Sequence, residues 1–100
     1  MEDIKGQFEI HEPFIITGRG LTFAGIVLQG EVNQGDVLQF DINGESLKRM
    51  ITGVDMGMRL PKENRLTGLL IRCENEEEMK ALRAWNPNKA RASILSGRSS

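Results

Sequence analysis

Histidine and cysteine occur once each, as His11 and Cys73, and tyrosine does not occur at all. A single cysteine excludes an internal disulfide framework, and one cysteine with one histidine leaves too few ligands for a zinc site within the chain. The phosphate-cradling pattern G-x-x-x-x-G-K-[ST] is missing, so no Walker loop can form. No apolar run approaches the roughly 20 residues that span a bilayer, and the N-terminal MEDIKGQFEI lacks the basic region and long apolar run of a secretory signal. An excess of one charge is missing too: 13 basic residues face 14 acidic ones. No global field therefore draws DNA or an anionic membrane to this protein. The expectation is a cytoplasmic protein with no cofactor, no metal and no membrane partner.

What is present suits one small folded domain. The chain has 100 residues, 39% of them hydrophobic and 27% charged, enough for one core and too apolar for a disordered segment. Residues 1–95 read as one domain and 96–100, SGRSS, as a flexible tail. Between Gln7 and Cys73, short apolar runs alternate with glycine and asparagine turns every 8 to 12 residues or so, the pattern of an all-β barrel or sandwich. FEI, PFIITG, FAGIVLQG, DVLQFDI, LKRMITGVDMGM and GLLIRC are the strand candidates. Gly25, inside FAGIVLQG, marks a bulge or a close backbone approach. Asn43-Gly44 tolerates the positive φ angles of a type I′ turn and gives the clearest hairpin. In the strand after it, alternation puts Met50, Thr52, Val54 and Met56 on one face, with Lys48 and Asp55 on opposite faces.

After Glu74 the period changes. Asn75 is an N-cap candidate, Glu78 stands at the capping-box position, acidic residues fill the first turn and Pro87 stops the segment, which predicts a helix over 76–85. Met79, Leu82 and Trp85 share a face that would plug one end of the barrel. ARASIL then reads as a last strand closing the sheet.

Four motifs in order carry a resemblance over 8–73: GRG at Gly18 to Gly20, the Gly25–Gly30–Gly35-Asp36 series, ITGVDM from Ile51 to Met56, and GLLIR from Gly68 to Arg72. In these the chain resembles domain 2 of elongation factor Tu and related translation GTPases, here without the GTPase domain. The resemblance implies a small closed Greek-key β-barrel, to which this chain adds one short C-terminal helix as a cap for a barrel that stands alone. In that family the domain helps to hold the 3′ aminoacyl end of transfer RNA, and a glutamate of the Thr-Gly-Val-Glu-Met segment contributes. Asp55 occupies that position here, and Gly57 to Arg59 stand where the family has an aromatic-basic sequence.

The implied function is a non-catalytic binding module for RNA or a protein of the translation apparatus. The candidate partner-binding residues are Arg19, Asp55, Arg59 and Arg65. Arg19, Arg59 and Arg65 would meet phosphates if they converge at one barrel rim; spread singly, they are solubilising charge. The alternative is a protein-interaction or homo-oligomerisation domain without RNA contact, with Met56 and Met58 as an adaptable contact pair. No residue set marks an enzyme: GRGLTFAG has the wrong spacing for a nucleotide loop, and NEEE suits a helix N-terminus. His11, expected in a loop after the first strand, has no nucleophile beside it, and Cys73 reads as a buried thiol.

Overall fold

The computed structural model describes residues 4–18, 20–59 and 65–97, with the side chains of 56–59 and 65 outside the description. Six strands and one helix alternate as β1 (Ile4–Ile16), β2 (Gly20–Gly30), β3 (Val37–Ile42), β4 (Glu45–Arg59), β5 (Arg65–Ile71), α1 (Glu76–Ala84) and β6 (Ala90–Leu95). All the ladders are antiparallel, and the strands close in the order β1-β2-β5-β4-β3-β6. Because β3, β4 and β5 follow one another as hairpins while β2 lies beside β5, four of the strands form a Greek key. The expected all-β barrel with one helix is the observed fold. Among the described residues no helix is long and apolar enough to cross a membrane.

Alternation builds the core. Phe8 and Ile10 of β1, Leu21 and Phe23 of β2, Leu38 and Phe40 of β3, Ile51 of β4, Leu69 and Ile71 of β5 and Ile94 of β6 all point inward and are buried. Phe23 meets Phe40 edge-on at 5.3 Å, and Trp85 stacks on Phe40 at 5.7 Å. These contacts add directional attraction to the burial of large apolar area.

Of the irregularities in the described ladders, those at His11 and Thr52 overturn an expected placement. In β1, Ile10 pairs with Gly25 and Glu12 with Ala24, so His11 is the extra residue of one continuous strand rather than part of a loop after it. In β4, Ile51 pairs with Ile71 and Gly53 with Leu70, which leaves Thr52 as the extra residue. This resets the phase of the strand: Ile51 and Val54 both reach the core, while Met50 is exposed. Met50, Thr52 and Val54 therefore do not share a face. Lys48 and Asp55, expected on opposite faces, both lie on the outside.

Helix α1 closes one end. Asn75 Oδ1 accepts the Glu78 N–H at 2.8 Å, as an N-cap does, and Glu78 Oε1 accepts the Glu74 N–H at 3.1 Å. The capping box is thus shifted by one residue, since its usual reciprocal bond returns to the N-cap itself. Leu82 is buried in the barrel end, with Met79 and Trp85 packed beside it. Trp85 serves as C-cap, its N–H donating to Leu82 O, so the helix stops one residue before the expected limit.

The Asn43-Gly44 hairpin has φ angles of 52° and 83°, both positive as expected for type I′. A second positive pair, Asn88 at 47° and Lys89 at 64°, leads into β6. Lysine carries a β-carbon into a region that only glycine visits freely, at roughly 1 kcal/mol. Lys89→Gly is expected to stabilise the protein by about 0.5 kcal/mol after the greater freedom of glycine in the unfolded chain is deducted. Thermal unfolding should show a midpoint rise of about 2–4 °C; a fall would show that Lys89 holds its conformation through contacts of its own.

Candidate partner-binding face

The outer surface of the four neighbouring strands β1, β2, β5 and β4 is set by the inner one. Leu21, Phe23, Leu69 and Ile71 fill the core, so the intervening Thr22, Ala24, Gly68 and Leu70 face outward. Register then defines two rows across the sheet. The first runs Phe14–Thr22–Leu70–Gly53 and the second Glu12–Ala24–Gly68–Asp55. Two carboxylates, on Glu12 and Asp55, therefore bracket a floor of the smallest side chains. Leu70 lies over Gly53, and Thr52 donates its hydroxyl to Leu70 O at 3.4 Å.

Thr22 stands out in this surface. It faces away from the core yet is 0% exposed, and its hydroxyl has no hydrogen-bond partner among the described residues. Buried hydroxyls nearly always have one. Sequence reasoning missed this position, because a threonine between Leu21 and Phe23 looks like an ordinary outward strand residue.

The expected site residues are brought together only in part. Asp55 sits opposite Gly68 and is half-buried. Arg59 and Arg65 are direct register partners farther along the same two strands, beyond Gly25↔Thr67, the last β2–β5 pair. Arg19 lies outside the described residues, and so do the side chains of Met56 and Met58. The residues flanking Arg19, Gly18 and Gly20, belong to the barrel end covered by α1, with Met79 beside Gly20. The Arg59–Arg65 pair is at the opposite end.

Other charges serve the fold. Arg49 donates through Nε to Glu78 Oε1 at 2.7 Å and through Nη2 to Glu78 Oε2 at 2.5 Å, with Glu74 a further acceptor at 3.3 Å. This fork fastens the start of α1 to β4. The same hydrogen bonds hold the Glu78 carboxyl below its ordinary pKa and raise that of Arg49. A cavity of about 410 Å³ beside the fork is lined by Lys48, Arg49, Met50, Arg72, Cys73 and Glu74. Burial, helped by Glu78, pushes the Cys73 thiol upward against the opposing pull of Arg49, so it stays protonated and a poor nucleophile. His11 Nε2 lies 2.6 Å from Glu9 Oε1. A second cavity, of about 400 Å³, lies at the open end between Lys5, the 33–36 turn and Gly97. Among the described residues no group of three histidine, cysteine, aspartate or glutamate side chains is placed to hold a metal ion.

The chain matches no protein-family model and no curated protein. The functional argument therefore rests on the outer face itself. On that face two carboxylates, Glu12 and Asp55, stand at the sides of a row whose middle residues, Ala24 and Gly68, are buried. No nucleophile and base meet there.

Proposed function

We propose that the protein is a non-catalytic binding module, resembling domain 2 of elongation factor Tu, that engages RNA of the translation apparatus through the outer face of β1, β2, β5 and β4. The observation that carries this reading is Asp55, half-buried on the outward side of the sheet at the position of the family's glutamate. The register that sets Arg59 opposite Arg65 on β4 and β5 supports an anionic partner.

The test is titration of aminoacylated and bare transfer RNA at two salt concentrations, with wild type and Asp55→Asn. Binding should weaken with salt, with a log–log slope of about −1.4 for two phosphate contacts on single-stranded RNA. Asp55→Asn should stay folded yet bind about fivefold more weakly. Absence of binding at low salt removes the RNA reading and leaves a protein partner or homo-oligomer, which light scattering and protein capture would then separate. Unchanged RNA binding by Asp55→Asn removes this face.

A further inference from the structure

Helix α1 stands outside the sheet. It is inserted between β5 and β6, which are not neighbours, and the barrel closes in the order β1-β2-β5-β4-β3-β6 without passing through it. Among the described residues, the backbone-to-backbone hydrogen bonds of 75–89 stay within that segment, as with Met79 N–H to Asn75 O and Trp85 N–H to Leu82 O. Lifting the helix off the barrel end therefore breaks no rung of a strand ladder.

The helix is attached in two ways. The first is apolar: Leu82 is its buried residue, and Met79 and Trp85 pack beside it, partly buried. Trp85 stacks on Phe40 at 5.7 Å and meets Phe23 edge-on at 6.0 Å. Each of the six strands, by contrast, sends at least one wholly buried side chain into the core. Elements with few buried apolar contacts open locally while the rest of a protein stays folded.

The second attachment is polar and converges on one side chain. Glu78 accepts from Arg49 Nε and Nη2 with its two oxygens and, through Oε1, from the Glu74 N–H as well. One carboxylate thus ties the start of the helix both to β4 and to the segment leading out of β5. The Arg49 and Glu78 side chains are each 16% exposed, whereas Glu74, the other acceptor, is 71% exposed and 3.3 Å away, a contact of small worth. At the far root of the segment, Asn88 and Lys89 hold positive φ angles where the chain turns into β6. A few residues of this kind between two elements are enough to absorb a hinge rotation.

We propose that α1 is a hinged cap that opens as a unit while the barrel stays folded, turning on 73–75 and 86–89, and that Glu78 is its latch. Opening carries Leu82 and Trp85 away and uncovers Phe23 and Phe40, so the apolar barrel end is presented only when the latch is released. The cap is separate from the RNA-binding face and does not depend on it.

Native-state hydrogen exchange on the full chain, at several low denaturant concentrations, tests this with wild type, Glu78→Ala and Arg49→Met. In wild type the amides of 79–85 should exchange about tenfold or more faster than those of 22–25 and 67–70 in the β2–β5 ladder. Their exchange should also depend less on denaturant, because an opening cap exposes less surface than global unfolding does. Each variant should speed exchange at 79–85 by about a further tenfold, with the denaturant dependence still weak. Equal rates and equal denaturant dependence in helix and strands would overturn the proposal, since α1 would then leave only with the whole fold. Exchange at 79–85 unmoved by either variant would overturn the role of Glu78 as latch.

Discussion

Gly25→Ala is expected to destroy the closed barrel or to lower its stability by about 3 kcal/mol or more. A β-carbon at this position would overlap the carbonyl oxygen of Glu9 and press on the Phe8 ring. Neither obstacle can move cheaply. Glu9 lies in β1 between the bulged His11 and the core residue Phe8, and its backbone is laddered to β2 on one side and β6 on the other. Relief requires β1 and β2 to separate beside the bulge. Gly53→Ala gives the control: its β-carbon would meet only Leu70 side-chain atoms, 3.6 Å away, an ordinary contact, and the change should cost less than about 1 kcal/mol. Denaturant unfolding of the two variants tests the contrast. Equal stability would show that β1 and β2 can part at Gly25 without loss.

Gly25 also illustrates what a sequence reveals about this protein. A glycine inside an otherwise apolar strand has few explanations, so a close approach was legible there, as were the Asn43-Gly44 turn, the capping signals of α1 and the barrel plug of Met79, Leu82 and Trp85. Those features are local, or depend on a period that a short window displays. The bulges at His11 and Thr52 are not of this kind. Each is a one-residue mismatch between strands, decided by how the partner strand pairs, and each inverts the facing of the residues beyond it. Lys48 and Asp55 share a face for that reason. The Arg49–Glu78 fork joins residues 29 apart, and nothing near Arg49 distinguishes it from the solvated cations around it. Thr22 was hidden for a third reason: its burial comes from the outside of the sheet, whereas alternation predicts only what turns toward the core. Of the candidate site, Asp55 and the Arg59–Arg65 pair were readable as types and positions, and their separation from the end near Gly18 and Gly20 appeared only with the register.

The largest electrostatic effect should come from Asp36, at the open end. Residues 31–36 carry the chain from Gly30, opposite Gly6, past the start of β1 and the end of β6 to Val37, opposite Leu95. Asp36 fixes this crossing. It is 6% exposed, and its Oδ2 accepts from Lys5 Nζ at 2.7 Å and from the Asn33 N–H at 2.9 Å; the Gly97 backbone is a further donor. Ser96 and Gly97, expected to begin a free tail, are instead held against this turn, and Gly97 packs so closely on the Gly35 carbonyl that a β-carbon would overlap it. Residues 98–100 lie outside the described residues. Asp36→Ala leaves a lysine without its counter-charge and two backbone donors without their acceptor, at an expected cost of about 3 kcal/mol.

Its pH dependence has a definite sign. Burial pushes the Asp36 carboxyl upward, but Lys5, the Asn33 N–H and the Gly97 N–H together outweigh it, and the net pKa lies below the ordinary value. A depressed folded-state pKa contributes stability that is present above the unfolded value, about 4, and is lost as pH falls through the folded one. The difference in stability between wild type and Asp36→Asn should therefore be full at neutral pH and shrink once pH drops below about 4. Denaturant unfolding at a series of pH values measures this directly. A difference that stays constant down to acid pH would mean that the Asp36 charge does not hold the crossing, and that the turn is fixed by its backbone bonds to Ile51 alone.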